Sequence, residues 1–103
     1  MQNTERYSSK RDNLDTMTTI TIYTTRVCGY CVMAKRLMDS KGLQYTELDV
    51  SMDHEKRAWL LEQTGRRTVP QIFFDDQSIG GYTELAQLNR DGFLDTLLET
   101  QVP

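Results

Sequence analysis

The chain has 103 residues, enough for one small domain with a single hydrophobic core and too few for two. Its 12 basic and 15 acidic residues leave a formal net charge of −3, which gives no positive footprint for nucleic acid or an anionic membrane surface; neither is expected as a partner. No apolar run approaches the length of a membrane span, and residues 1–17 lack the apolar core of a secretory signal, so a cytoplasmic protein is expected.

Residues 1–17 are polar and charge-balanced without apolar periodicity, and they read as a disordered or loosely packed tail ahead of a domain at 18–103. Thr18 to Thr25 alternates β-branched and aromatic residues, with Ile20, Ile22 and Thr24 on one face, which predicts a strand. From Gly29 to Ser40 the apolar positions Cys31, Ala34, Leu37 and Met38 recur at helical spacing, and Lys41-Gly42 supplies a stop. Leu43 to Val50 reads as a second strand, which completes a right-handed β-α-β unit. Asp53 is placed to cap a helix that ends at Gly65, with Ala58 and Leu61 on its inner face. Gln71 to Asp75 and Ser78-Ile79 form a predicted hairpin about an Asp76-Gln77 turn. Two short helices follow, one to Arg90 and one from Phe93 to Glu99 with Leu94, Leu97 and Leu98 inward. The order is β-α-β-α-β-β-α-α, an α/β domain with a small mixed sheet flanked by helices.

The only two cysteines stand three positions apart in Cys28-Gly29-Tyr30-Cys31, where the first strand gives way to the first helix. Unpaired N–H groups and the positive end of the helix dipole favour a thiolate there, so Cys28 is the expected nucleophile. Cys31, about one turn further on, can reach back and is the expected resolving thiol. A structural disulfide across two residues closes too small a loop to remove much unfolded-state entropy. A structural zinc site needs about four ligands, and beyond this pair the chain has one histidine, His54.

The pair, followed in order by Thr68-Val69-Pro70-Gln71 and by Gly80-Gly81, resembles the dithiol glutaredoxins over roughly residues 18–99. The resemblance implies a thioredoxin-like fold with a four-stranded sheet, a cis bond between Val69 and Pro70, and glutathione as co-substrate. Pro70 has no N–H, so Val69 is the nearest backbone donor and acceptor, and an extended glutathione can pair with it as an added strand. Glutathione carries two carboxylates. Arg26, Gln63, Arg66 and Arg67 are the candidates for its glycine end, and the N–H groups opening a helix at Gly81, Tyr82 and Thr83 suit its γ-glutamyl carboxylate, with Glu84 facing the ammonium. Thr68 belongs to the same groove, and Tyr30 reads as its wall. Many relatives carry a lysine where this chain has Thr25, and aspartate where it has Glu84; the commonest dithiol motif has proline where it has Gly29.

Three functions follow from these residues. The first is glutathione-dependent exchange on glutathionylated or disulfide-containing proteins through Cys28, by a monomer. The second is a [2Fe–2S] cluster held by Cys28 of two chains and two glutathiones, suggested by Gly29 in the proline position. The third is a glutathione-independent donor of thioredoxin type, against which Val27 stands where thioredoxins have tryptophan.

Overall fold

The computed structural model describes residues 18–101, so the expected tail at 1–17 lies outside them. The described chain runs β1 (Ile20–Thr24), α1 (Gly29–Ser40), β2 (Thr46–Asp49), α2 (His54–Thr64), β3 (Gln71–Phe74), β4 (Gln77–Gly80), α3 (Tyr82–Arg90) and α4 (Phe93–Gln101). The sheet is ordered β2-β1-β3-β4. β1 pairs parallel with β2 and antiparallel with β3, and β4 returns antiparallel to β3. This is the thioredoxin-like architecture.

Strand alternation divides the core between the two faces of the sheet. Ile20, Ile22 and Ile72 pack with Ala34 and Met38 of α1, Leu85 of α3, and Leu94 and Leu97 of α4. Each of the isoleucine, leucine and methionine side chains contributes about 1.5–3 kcal/mol relative to remaining exposed. On the other face Tyr23 and Phe73 meet Val50 and Leu60 of α2, and the Trp59 ring stacks on Phe73 at 5.9 Å. Among the described residues no helix is long and apolar enough to cross a membrane.

Four expectations differ in detail. The second strand is shorter than Leu43 to Val50, because Leu43 turns into the core and the Gln101 side chain occupies both backbone groups of Gln44 at 2.8 and 2.9 Å. Helix α2 turns Leu60 inward while Ala58 is exposed and Leu61 half-buried, because Trp59 anchors the helix on the Tyr23 and Phe73 rings. The hairpin turn falls at Asp75-Asp76, one residue early. Asp75 takes φ 55 there, a conformation that aspartate tolerates better than most side chains. Finally, α4 continues to Gln101, whose amide also donates to the Thr18 carbonyl at 3.1 Å.

Candidate active site

Helix α1 opens on a sulfur. Cys28 is extended at φ −152 and ψ 103, and its Sγ accepts from the Cys31 N–H at 3.1 Å while its carbonyl accepts from the Val32 N–H at 3.2 Å. A side chain in that position takes up a backbone donor that the helix cannot satisfy itself. The first turn carries no acidic residue to oppose negative charge on the sulfur. Cys28 and Cys31 are joined as a disulfide with Cα atoms 5.2 Å apart. Their surroundings differ: Cys31, in the first turn of α1, is 2% exposed, whereas Cys28 is partly open to solvent.

The segment before the pair is tied to the end of β2. The Arg26 N–H donates to Ser51 Oγ at 2.8 Å, and the Ser51 N–H donates to the Asp49 carboxylate at 2.8 Å. Hydrogen bonds from Ser51, aided by the Arg26 and Lys35 charges, hold the Asp49 carboxyl below its usual value. Nothing local in the sequence points to Ser51, whose partner lies 25 residues away.

Beside the sulfurs the Val69-Pro70 bond is cis, and the Val69 carbonyl oxygen lies 3.6 Å from Cys28 Sγ. From there a shallow groove of about 150 Å³ runs between the segment after α2 and the start of α3. One wall is Arg66, Thr68, Val69 and Pro70, the other Gly81, Tyr82, Thr83 and Glu84. Tyr30 closes the end nearest the disulfide, its ring stacked 6.2 Å from that of Tyr82. Gly81 permits the close approach, since a Cβ there would sit 3.1 Å from the Pro70 carbonyl. At the far end Glu84 Oε1 accepts from the Gly81 N–H at 2.7 Å and faces the Arg66 guanidinium at 3.7 Å. The Gly81 N–H, then the backbone N–H of Glu84 itself and the Arg66 charge, hold the Glu84 carboxyl below its usual value. Arg26, Gln63 and Arg67 do not line this groove; Gln63 faces a separate cleft of about 650 Å³ with Tyr23 and Trp59.

A family model described as Glutaredoxin matches residues 20–79. The chain is 46% identical over 91 residues to Glutaredoxin 1 of Rickettsia typhi, covering 86% of this chain and 88% of that protein. The chain belongs to the glutaredoxin family. The solution structure of glutaredoxin from Brucella melitensis superposes with a TM-score of 0.74 at 40% identity, covering 88% of this chain and 99% of that one. A crystal structure of a buckwheat glutaredoxin–glutathione complex superposes at 0.72 with 31% identity, over 81% of this chain and 79% of that one. Like its relatives, this glutaredoxin is a glutathione-dependent thiol–disulfide oxidoreductase.

Proposed function

We propose that Cys28 is the attacking sulfur and Cys31 the resolving one. The observation that carries this reading is the asymmetry of the pair: the sulfur that caps α1 is the partly open one, and its partner is 2% exposed. With a glutathionylated protein, the Cys28 thiolate attacks the glutathione sulfur, the protein leaves as a thiolate, and glutathione remains as a mixed disulfide on Cys28. A glutathione thiolate then attacks the glutathione sulfur of that mixed disulfide, releasing oxidised glutathione and restoring the Cys28 thiolate. With a protein disulfide, Cys28 attacks one sulfur; Cys31 then attacks Cys28 Sγ, which frees the reduced protein and forms the intramolecular bond. Two glutathiones reopen it. Rates follow thiolate fraction, nucleophilicity and leaving-group pKa, so no general base is required.

Glutathione lies in the groove between Arg66 and the α3 start. Its backbone pairs with Val69, and its γ-glutamyl end meets the N–H groups of Tyr82 and Thr83, where Arg66 and Glu84, 3.7 Å apart, face its carboxylate and its ammonium. The placement of Arg66 and Glu84 along one groove with Val69 supports this arrangement, as does the glutathione complex of the buckwheat relative. A Cys28→Ser variant is expected to lose all activity on a glutathionylated peptide, while Cys31→Ser retains it and loses reduction of protein disulfides. Turnover by Cys28→Ser would overturn the assignment.

A second reading rests on Gly29. A Cβ at that position would meet nothing within 4 Å, so the turn beside Cys28 has open space around it. A [2Fe–2S] cluster does not fit one chain: among the described residues no three His, Cys, Asp or Glu side chains converge, and Cys31 is buried. Two chains contributing Cys28, with two glutathiones, complete four thiolates. The absorption spectrum of protein purified without oxygen and supplied with iron, sulfide and glutathione decides; a colourless monomer removes this reading.

A further inference from the structure

Gln71 opens β3 immediately after the cis proline and is 3% exposed. By strand parity it shares a face with Phe73, the face covered by α2. Its Nε2 donates to the Arg66 carbonyl at 2.9 Å, and its Oε1 is buried with no hydrogen-bond partner among the described residues. A buried amide with an unsatisfied acceptor is a poorer choice for stability than an apolar side chain of the same length. What the amide supplies and a methionine does not is the tie to Arg66.

That tie spans the segment from Arg66 to Pro70, which forms one whole wall of the groove. The segment is pinned at its start twice, since the Arg66 N–H also donates to Thr64 Oγ1 at 3.1 Å. With both backbone groups of Arg66 held, its guanidinium is directed towards Glu84, and the chain between Arg66 and Gln71 has little freedom to move the Val69 carbonyl away from Cys28.

We propose that Gln71 is a positioning residue for thiol exchange: its buried amide clasps the Arg66–Pro70 segment and so holds Arg66 and Val69 in the geometry that receives glutathione. This rests on the reading of the groove as the glutathione site, and the test separates the two. Gln71→Met keeps the length and removes the donor. It is expected to raise the KM for a glutathionylated peptide about three- to tenfold, the worth of one hydrogen bond, with kcat within about twofold and a melting temperature that does not fall. Amide hydrogen exchange is expected to rise at Arg67, Thr68 and Val69 and to stay constant in β1, a change that a packing role does not produce. Arg66→Ala is expected to raise the same KM, and the double variant to fall short of the product of the two effects, since Gln71 acts through the segment that carries Arg66. If Arg66→Ala raises KM while Gln71→Met leaves KM and exchange unchanged, or if the two effects multiply, the clasp is overturned and the groove stands. If Arg66→Ala has no effect on KM, the glutathione reading of the groove fails first.

Discussion

Helices α1 and α3 both begin beside the Val69-Pro70 bond, and both leave backbone donors to be satisfied, yet their ends are filled differently. At α1 the acceptor is the Cys28 sulfur, with no acid in the first turn. At α3 it is the Glu84 carboxylate, bonded back to Gly81 and paired with Arg66. A carboxylate at a helix start is already ionised at neutral pH, so the helix gains a fixed charge and stability. A sulfur gains ionisation instead, which is reactivity. The two ends divide the groove into a reactive part and a part that holds charge in place.

Breaking the charged end is expected to have the larger effect on folding. Gly80 sits at φ 105, and a Cβ on it would lie 2.7 Å from Glu84 Cγ. Gly80→Ala therefore strains the backbone and displaces Glu84 from Gly81, with an expected cost of about 1–3 kcal/mol in urea unfolding. An unchanged midpoint would mean that Glu84 does not pack against Gly80. Placing at the reactive end what the charged end already has sharpens the contrast from the other side. Gly29→Asp adds an acid to the first turn of α1, where nothing stands within 4 Å of a new Cβ. Alkylation of reduced Cys28 by iodoacetamide at pH 6.5 is expected to slow about two- to fivefold, with Gly29→Lys shifting it the other way. Equal rates in all three proteins would remove the helix start as the source of reactivity.

The smallest effect is expected from Glu84→Gln, which keeps an acceptor for Gly81 and loses the pair with Arg66. Both partners are nearly half exposed, so solvent screening limits the loss to a few tenths of a kcal/mol. Because the folded pKa of Glu84 is depressed, its contribution is full above the unfolded value and disappears as pH falls through the folded one. The difference between the two proteins in chemical denaturation is therefore expected at pH 7 and to close as pH falls below the ordinary glutamate range. A gap that widened on acidification would contradict the pairing.

Element types and their order were legible because alternation in β1 and helical spacing in α1 are local properties, carried by neighbours in the chain. The position of Cys28 at a helix start followed from the same local reading. What escaped depends on partners far apart. Nothing near Ala58 indicates that Trp59 anchors α2 on Tyr23 and Phe73, so spacing alone points inward with Ala58 and Leu61 where the fold buries Leu60 between them. Arg26, Arg66 and Arg67 were equivalent by charge alone; the turn after Gly65 faces Arg66 to Glu84, and Arg67 does not line the groove. Gln71 stood inside the quoted Thr-Val-Pro-Gln segment, but its amide has a role only once the chain has folded back on Arg66.

The Gln101 side chain reaches the Thr18 carbonyl and both backbone groups of Gln44, and Thr100 Oγ1 meets Thr18 Oγ1 at 3.0 Å. Thr18, just ahead of β1, and Gln101, which ends α4, are thus stitched together at the start of β1, the full length of that strand away from the cysteines that follow its other end. A short peptide could join them and new ends be opened at the exposed Asp91 between α3 and α4, leaving a circularly permuted protein with the same sheet and the same groove.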